Sequence, residues 1–225
     1  MLISGKNVVN ELLKNDVKIN KIYLSEKFSD EKLKKKLPKE KIILKKVSEI
    51  GSMTNEKNQG IIADVEEYKT ISINEMDMNS RLILVLDHLE DTHNFGAIIR
   101  TAECAGVKYI IIPKNRSVKV NATVIRTSAG AVFNTKIVEV ANIRNTLLKL
   151  KENGFLIVGA EADGENYKDI DYTEKTALVI GSEGKGLKYI TKNSCDVIAS
   201  LPLNGKVNSL NASVACAILI YEIIN

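Results

Sequence analysis

Residues 178–187 read Leu-Val-Ile-Gly-Ser-Glu-Gly-Lys-Gly-Leu. An apolar run passes without a polar interruption into a glycine-rich turn. The pattern predicts a strand over Leu178–Ile180, covered on both faces, and a turn that opens a helix. Glycines in such a turn let a ligand approach the backbone, and a helix start offers free N–H donors. The order is GxxGxG rather than the GxGxxG of dinucleotide sites, and no GxxxxGK[ST] triphosphate loop occurs anywhere in the chain.

The same kind of strand recurs on both sides of this stretch. Leu82–Leu86, Tyr109–Ile112, Ile137–Val140, Leu156–Gly159 and Val197–Leu201 are continuous apolar runs rather than alternating ones. Strands of that type belong to a mainly parallel sheet with helices on each face. The last predicted helix, Ser209–Ile223, is apolar on most sides, which places it in a core or against another subunit.

The first third reads differently. Val8, Val9, Leu12 and Leu13 recur at helical spacing after Gly5. A strand at Lys21–Leu24 and a Lys-rich helix near Asp30–Leu37 follow, ended by Pro38. Lys41–Leu44 and Ile61–Val65 read as further strands, so residues 1–66 form a small α/β unit. Residues 67–80 are polar and aperiodic and read as a linker, leaving 81–225 as the larger domain.

Charge follows this division. Residues 1–68 carry 14 Lys against 11 acidic groups, whereas the remainder is close to neutral within a formal net charge of +4. The excess is densest around Lys32 to Lys41, which suits an anionic partner gripped at one end, although on charge alone a solvated lysine-rich surface is the favoured reading. No segment approaches the roughly 20 apolar residues of a membrane span, and the N-terminus shows no apolar signal region. Cys104, Cys195 and Cys216 are odd in number and widely spaced, which argues against a disulfide framework or a zinc knuckle and fits a reducing cytoplasm. Asp87, His88, Glu90, Asp91 and His93 cluster in sequence, but their spacing is not that of a metal site, so no metal is expected.

Two further stretches can carry chemistry. Residues 91–102, Asp-Thr-His-Asn-Phe-Gly-Ala-Ile-Ile-Arg-Thr-Ala, follow the strand that ends near Asp87. Asn94 or His93 can cap a helix there, with Arg100 about two turns further on and able to clamp a phosphate. Residues 201–213, Leu-Pro-Leu-Asn-Gly-Lys-Val-Asn-Ser-Leu-Asn-Ala-Ser, lead from a strand through a polar loop into the last helix, and Ser209, Asn211 and Ser213 are candidate caps. Neither a Ser/His/Asp signature nor a catalytic-cysteine context is present, so hydrolysis is unsupported.

In this order, Asn94 to Arg100, Gly181 to Leu187, and Leu201-Pro202-Leu203 through Ser209-Leu210-Asn211 resemble the three motifs of the SpoU/TrmH family of RNA ribose 2′-O-methyltransferases. The first third is similar to the L30e-like RNA-binding domain of the subfamily that methylates a guanosine of 23S rRNA, and Val107–Lys114 with Arg116-Ser117 and Asn121-Ala122 strengthens that likeness. Thr92, Leu203 and Asn208 depart from residues frequent in the family.

The resemblance implies an α/β fold in which an L30e-like unit precedes a parallel-sheet domain with a C-terminal trefoil knot. It implies S-adenosyl-L-methionine as cofactor, RNA as partner, a cytoplasmic homodimer and an active site near the subunit interface. The residues it assigns to chemistry are Arg100, Asn94, Glu183, Ser209 and Asn211. Those it assigns to the cofactor are Gly181, Leu201, Leu203, Leu210 and Ala160. Lys6, Asn7 and Arg116 are the candidate RNA contacts. Because a guanidinium stays protonated at ordinary pH, Arg100 is expected to act as a charge clamp before a base. A tRNA ribose methyltransferase of the same fold, and a non-catalytic RNA-binding or ribosome-assembly protein, are the competing readings.

Overall fold

Leu82, Leu84 and Leu86 pack into one apolar cluster and Ile83 and Val85 into another, because successive strand side chains point to opposite faces of a sheet. The computed structural model describes residues 1–15, 17–54 and 57–225. The strand just named, β5 (Leu82–Leu86), lies inside a six-stranded sheet.

The smaller unit comes first in the chain. It comprises β1 (Leu2–Ser4), α1 (Lys6–Lys14), β2 (Ile19–Ser25), α2 (Glu31–Lys36), β3 (Ile42–Lys45), α3 (Val47–Ser52) and β4 (Ile61–Val65). Its sheet runs β1-β4-β2-β3, with β4 antiparallel to both neighbours and β2 parallel to β3. Strand β1 and helix α3 are additions to the sequence expectation. The Lys-rich helix begins one residue later than expected, because the Asp30 side chain caps it by accepting the Leu33 N–H at 3.0 Å.

After β5 come α4 (Thr92–Cys104), β6 (Tyr109–Pro113), α5 (Ala122–Thr127), β7 (Lys136–Val140), α6 (Ile143–Glu152), β8 (Leu156–Asn166), β9 (Thr176–Ile180), α7 (Tyr189–Lys192), β10 (Val197–Ser200) and α8 (Ala212–Ile224). The sheet order is β10-β8-β9-β5-β6-β7, and every pairing is parallel. The resulting α/β architecture has buried strands covered on both faces, as the continuous apolar runs require.

The stretch between the two sheets is ordered against the larger one. Ile71 forms a parallel bridge with Val138, and the Tyr68 hydroxyl donates to the Thr135 carbonyl at 3.0 Å. The two units also share a core. Ile3, Val8, Val9 and Leu12 belong to the same apolar cluster as Phe95, Ile98 and Val124. Among the described residues no helix is long and apolar enough to cross a membrane.

Candidate active site

Three loops meet at the carboxyl ends of β8, β9 and β10, the end where ligands bind in open parallel sheets. The first is an excursion of β8. Ile198 pairs with Gly159 but the next residue, Ala199, pairs with Glu165, so residues 160–164 leave the β8–β10 ladder, although Ala160 still pairs with Ile180 of β9.

The second loop is the glycine turn. Ser182 and Gly186 exchange backbone hydrogen bonds of 3.0 and 2.9 Å, which closes the turn on itself. Gly181 is required by a close approach: a Cβ there would lie 2.2 Å from the Gly186 carbonyl carbon. The turn is tied down beyond its own bonds. The Leu187 N–H donates to Glu161 Oε1, and the Lys188 N–H donates to Asp87 Oδ2 at 3.0 Å. Asp87 is buried and also lies 2.6 Å from His88 Nδ1. These two residues of the acidic and histidine cluster thus serve the loop. The turn does not open directly into a helix as expected. The four-residue α7 begins only at Tyr189, because Gly184 and Gly186 sit at φ 73° and 63°, outside the right-handed helical region, and the N–H groups of Leu187 and Lys188 go to Glu161 and Asp87.

The third loop, 201–211, runs along the opposite side and ends at α8. That helix starts at Ala212, later than the predicted Ser209, because Asn211 takes the N-cap position. Asn211 Oδ1 accepts from the N–H of Ser213 at 2.9 Å and of Val214 at 3.4 Å, and from the Ser213 hydroxyl at 2.6 Å. Ser209 and Leu210 therefore remain in the loop and face the cleft.

Together the loops enclose a cleft of about 590 Å³, within the range of small-molecule sites. Ala160, Gly181, Leu201, Leu203 and Leu210, all named from sequence as cofactor residues, line it, as do Glu183, Ser209 and Asn211. Ile180, Ala199 and Leu219 add to its apolar walls, and Glu161, Glu183 and Lys185 bring charge.

At one edge of the cleft the three motifs join. The Asn94 amide donates to Glu183 Oε1. The Asn211 amide donates to the same oxygen at 3.2 Å and to Asn94 Oδ1 at 3.0 Å. Asn94 has this freedom because it does not cap α4, contrary to the sequence expectation. The cap is Asp91, whose carboxylate accepts the Asn94 N–H at 2.6 Å. Asp91 is a favoured capping residue, and its position puts Asn94 inside the first turn with its side chain turned toward Glu183.

The remaining candidates lie elsewhere. Arg100 is exposed on α4, outside the cleft lining, and makes no hydrogen bond or ion pair among the described residues. Lys6 lies 3.8 Å from Asp30 and over the Phe28 ring, Asn7 is exposed, and Arg116 is exposed on a left-handed backbone position with φ 53°. Sequence reasoning passed over Glu161, Ser182 and Lys185 as lining residues. For Glu161 the available signal was an acidic residue just beyond a buried strand.

The comparisons agree with this geometry. The family described as SpoU rRNA Methylase matches residues 81–221, and the one described as RNA 2′-O ribose methyltransferase substrate binding matches residues 2–71. YacO of Bacillus subtilis, named for the TrmH family of tRNA/rRNA methyltransferases, is 37% identical over 98% of this chain and 94% of its own. The 23S rRNA (guanosine-2′-O-)-methyltransferase RlmB of Coxiella burnetii is 38% identical over 92% of this chain and 87% of its own. The crystal structure of the SpoU methyltransferase AviRb from Streptomyces viridochromogenes, in complex with the cofactor AdoMet, shares the fold with a TM-score of 0.85 at 22% identity, covering 100% of this chain and 89% of that one. With matches of this extent on both of its units, the chain belongs to the SpoU rRNA methylase family.

Proposed function

We propose that this chain transfers a methyl group from S-adenosyl-L-methionine to a ribose 2′-hydroxyl of RNA, with a guanosine of 23S rRNA as the substrate. The observation that carries the reading is the junction of Asn94, Glu183 and Asn211, assembled from three separate motifs at the rim of one cleft. The rRNA guanosine follows the name of the Coxiella relative; YacO's name, which covers both tRNA and rRNA, keeps a tRNA ribose as the alternative.

The cleft suits such a cofactor. Its small apolar walls of Ala160, Ala199, Leu201 and Leu203 take a flat purine, and its glycine turn lets backbone groups reach the ligand. When bound, S-adenosylmethionine supplies a methyl group already activated on a positively charged sulfur. The protein's own tasks are then alignment and removal of one proton.

In this reading Glu183, held by two amides, faces the ribose hydroxyl and orients or accepts its proton. Asn94 and Asn211 fix that carboxylate, and Ser209, exposed at the rim, adds a hydroxyl to the same face. Arg100 holds the substrate phosphate and offsets the charge that develops on the attacking oxygen. Among the described residues it has no hydrogen-bond or ion-pair partner, which leaves the guanidinium available to an anionic ligand.

The first unit, with Lys6, Asn7 and the lysines of α2, together with Arg116 of the larger unit, grips the RNA by shape and phosphates. The active form in this reading is a homodimer. Val214, Ile218 and Tyr221 stand at helical spacing on one face of α8 and are 48%, 37% and 45% exposed, a stripe that a second copy would cover. A methyl-transfer assay on Arg100→Ala tests the role of the guanidinium. The expected loss is at least about a hundredfold with an unchanged melting midpoint, and transfer within a few-fold of the native rate would remove Arg100 from the mechanism.

A further inference from the structure

Glu161 is a carboxylate that none of the three motifs contains and the chemistry above does not use. It stands in the excursion of β8, on the wall of the cleft facing the glycine turn. Its Oε1 accepts the Leu187 N–H at 2.5 Å. The carboxylate lies directly over Gly186, where a Cβ would come within 2.2 Å of Oε1 and 2.8 Å of Oε2. Gly186, at φ 63°, thus leaves open the space that the carboxylate occupies. The flanking side chains, Ala160 and Ala162, are single methyl groups, and all three residues line the cleft.

The other carboxylate of the cleft, Glu183, is already engaged by the Asn94 and Asn211 amides. Among the described residues Glu161 accepts one hydrogen bond, on one oxygen. Its surroundings favour a neutral donor over a second cation. Lys192 is anchored on Asp163 with both oxygens at 2.8 Å. Its ammonium is held above its ordinary pKa by the Asp163 hydrogen bond first, with Glu161's charge adding to it. A backbone N–H and a nearby ammonium already compensate part of the charge on Glu161. A sugar diol meets these conditions, since hydroxyls donate to a carboxylate without adding charge. Carboxylates reading ribose hydroxyls in this way recur at the carboxyl ends of parallel strands.

We propose that Glu161 hydrogen-bonds the ribose hydroxyls of the adenosyl cofactor and so sets selectivity for the ribonucleoside. The inference rests on the S-adenosylmethionine reading of the cleft.

The test is calorimetric titration of the full chain and of Glu161→Gln. The ligands are S-adenosylmethionine, S-adenosylhomocysteine, and the 2′-deoxy and 3′-deoxy forms of S-adenosylhomocysteine. Glutamine keeps an acceptor for the Leu187 N–H, and the melting midpoint of each protein checks that the turn survives. In the native chain, removing the engaged hydroxyl should weaken binding about tenfold, the scale of a hydrogen bond to a charged group. In Glu161→Gln that gap should shrink to about twofold. Because the gap is measured within each protein, it stays readable if the variant binds every ligand less well. An equal gap in both proteins, or no gap in the native chain, overturns the role given to Glu161 and marks the residue as a staple of the turn. Absence of S-adenosylmethionine binding to the native chain overturns the cofactor reading itself, and this inference with it.

Discussion

Replacing Gly181 by alanine adds one methyl group at the point where the glycine turn folds back on β9. The new Cβ would stand 2.2 Å from the Gly186 carbonyl carbon and 2.4 Å from both the Gly186 oxygen and the Leu187 nitrogen. All three are backbone atoms, so no side chain can swing aside. Relief requires the two limbs of the turn to part by about 1.3–1.8 Å, to reach ordinary packing distances of roughly 3.5–4.0 Å. That movement strains the Ser182–Gly186 pair and the bonds from Leu187 to Glu161 and from Lys188 to Asp87. Overpacking of this kind costs about 1–3 kcal/mol. In a chain of this size each kcal/mol lowers the melting midpoint by roughly 2–4 °C, so a fall of roughly 2–12 °C is expected. The same displacement reshapes the cleft wall, and calorimetric affinity for S-adenosylmethionine should drop at least about tenfold, which is 1.4 kcal/mol. Gly205→Ala is the matched control: a Cβ there meets nothing within 4 Å, and neither quantity should change. A Gly181→Ala protein that melts within about 1 °C of native and binds cofactor within about twofold would refute the argument that the turn's close approach shapes the site.

Asn211 both caps α8 and donates to Asn94 and Glu183; Asn211→Ala should lose about 1 kcal/mol of stability and most methyl transfer. Asn211→Asp keeps the capping acceptor, so it should melt near the native midpoint yet remain impaired in transfer; native activity in the aspartate variant would contradict the junction's role. Burial pushes the Cys195 and Cys216 thiols and the Tyr172 phenol up to about 12. Between their ordinary values and that limit the folded chain holds protons that the unfolded chain has released. Their contribution is therefore full below about pH 9 and lost as pH rises toward 12. Thermal midpoints should fall across that window, and a flat profile would count against it. Ile218→Glu places a charge in the exposed stripe of α8. Sedimentation should show a shift from dimer to monomer together with reduced transfer, and an unchanged mass would remove this stripe as the interface.

The strands of the larger sheet were legible because burial on both faces leaves an uninterrupted apolar run, as in Leu82–Leu86 and Leu178–Ile180. The cleft-lining residues Gly181, Leu201, Leu203 and Leu210 were legible through the ordered motifs rather than through any one of them, and Ala160 through the family resemblance at the end of the strand Leu156–Gly159. What sequence did not disclose depends on contacts between distant residues. The excursion of β8 exists because β10 skips five residues in pairing, which no local pattern records. Glu161 meets Leu187 across 26 positions and Asp87 meets Lys188 across 101. The choice of Asp91 over Asn94 as helix cap is a one-turn shift between two good capping residues, and it decides which side chain is free to reach Glu183. The start of α8 moved for the same reason, with Asn211 taking the cap and leaving Ser209 in the loop. The knot implied by family resemblance is a property of threading and has no period at all.

The central claim is transfer of a methyl group to a ribose hydroxyl. The most direct measurement incubates the full chain with ribosomal RNA and S-adenosylmethionine carrying an isotopically heavy methyl group, digests the RNA to nucleosides and locates the label by mass spectrometry. The account predicts heavy methyl on the ribose of one nucleoside, guanosine in the reading favoured above, and its loss with Arg100→Ala. Label on a base, or none on RNA while the chain binds S-adenosylmethionine, would contradict it.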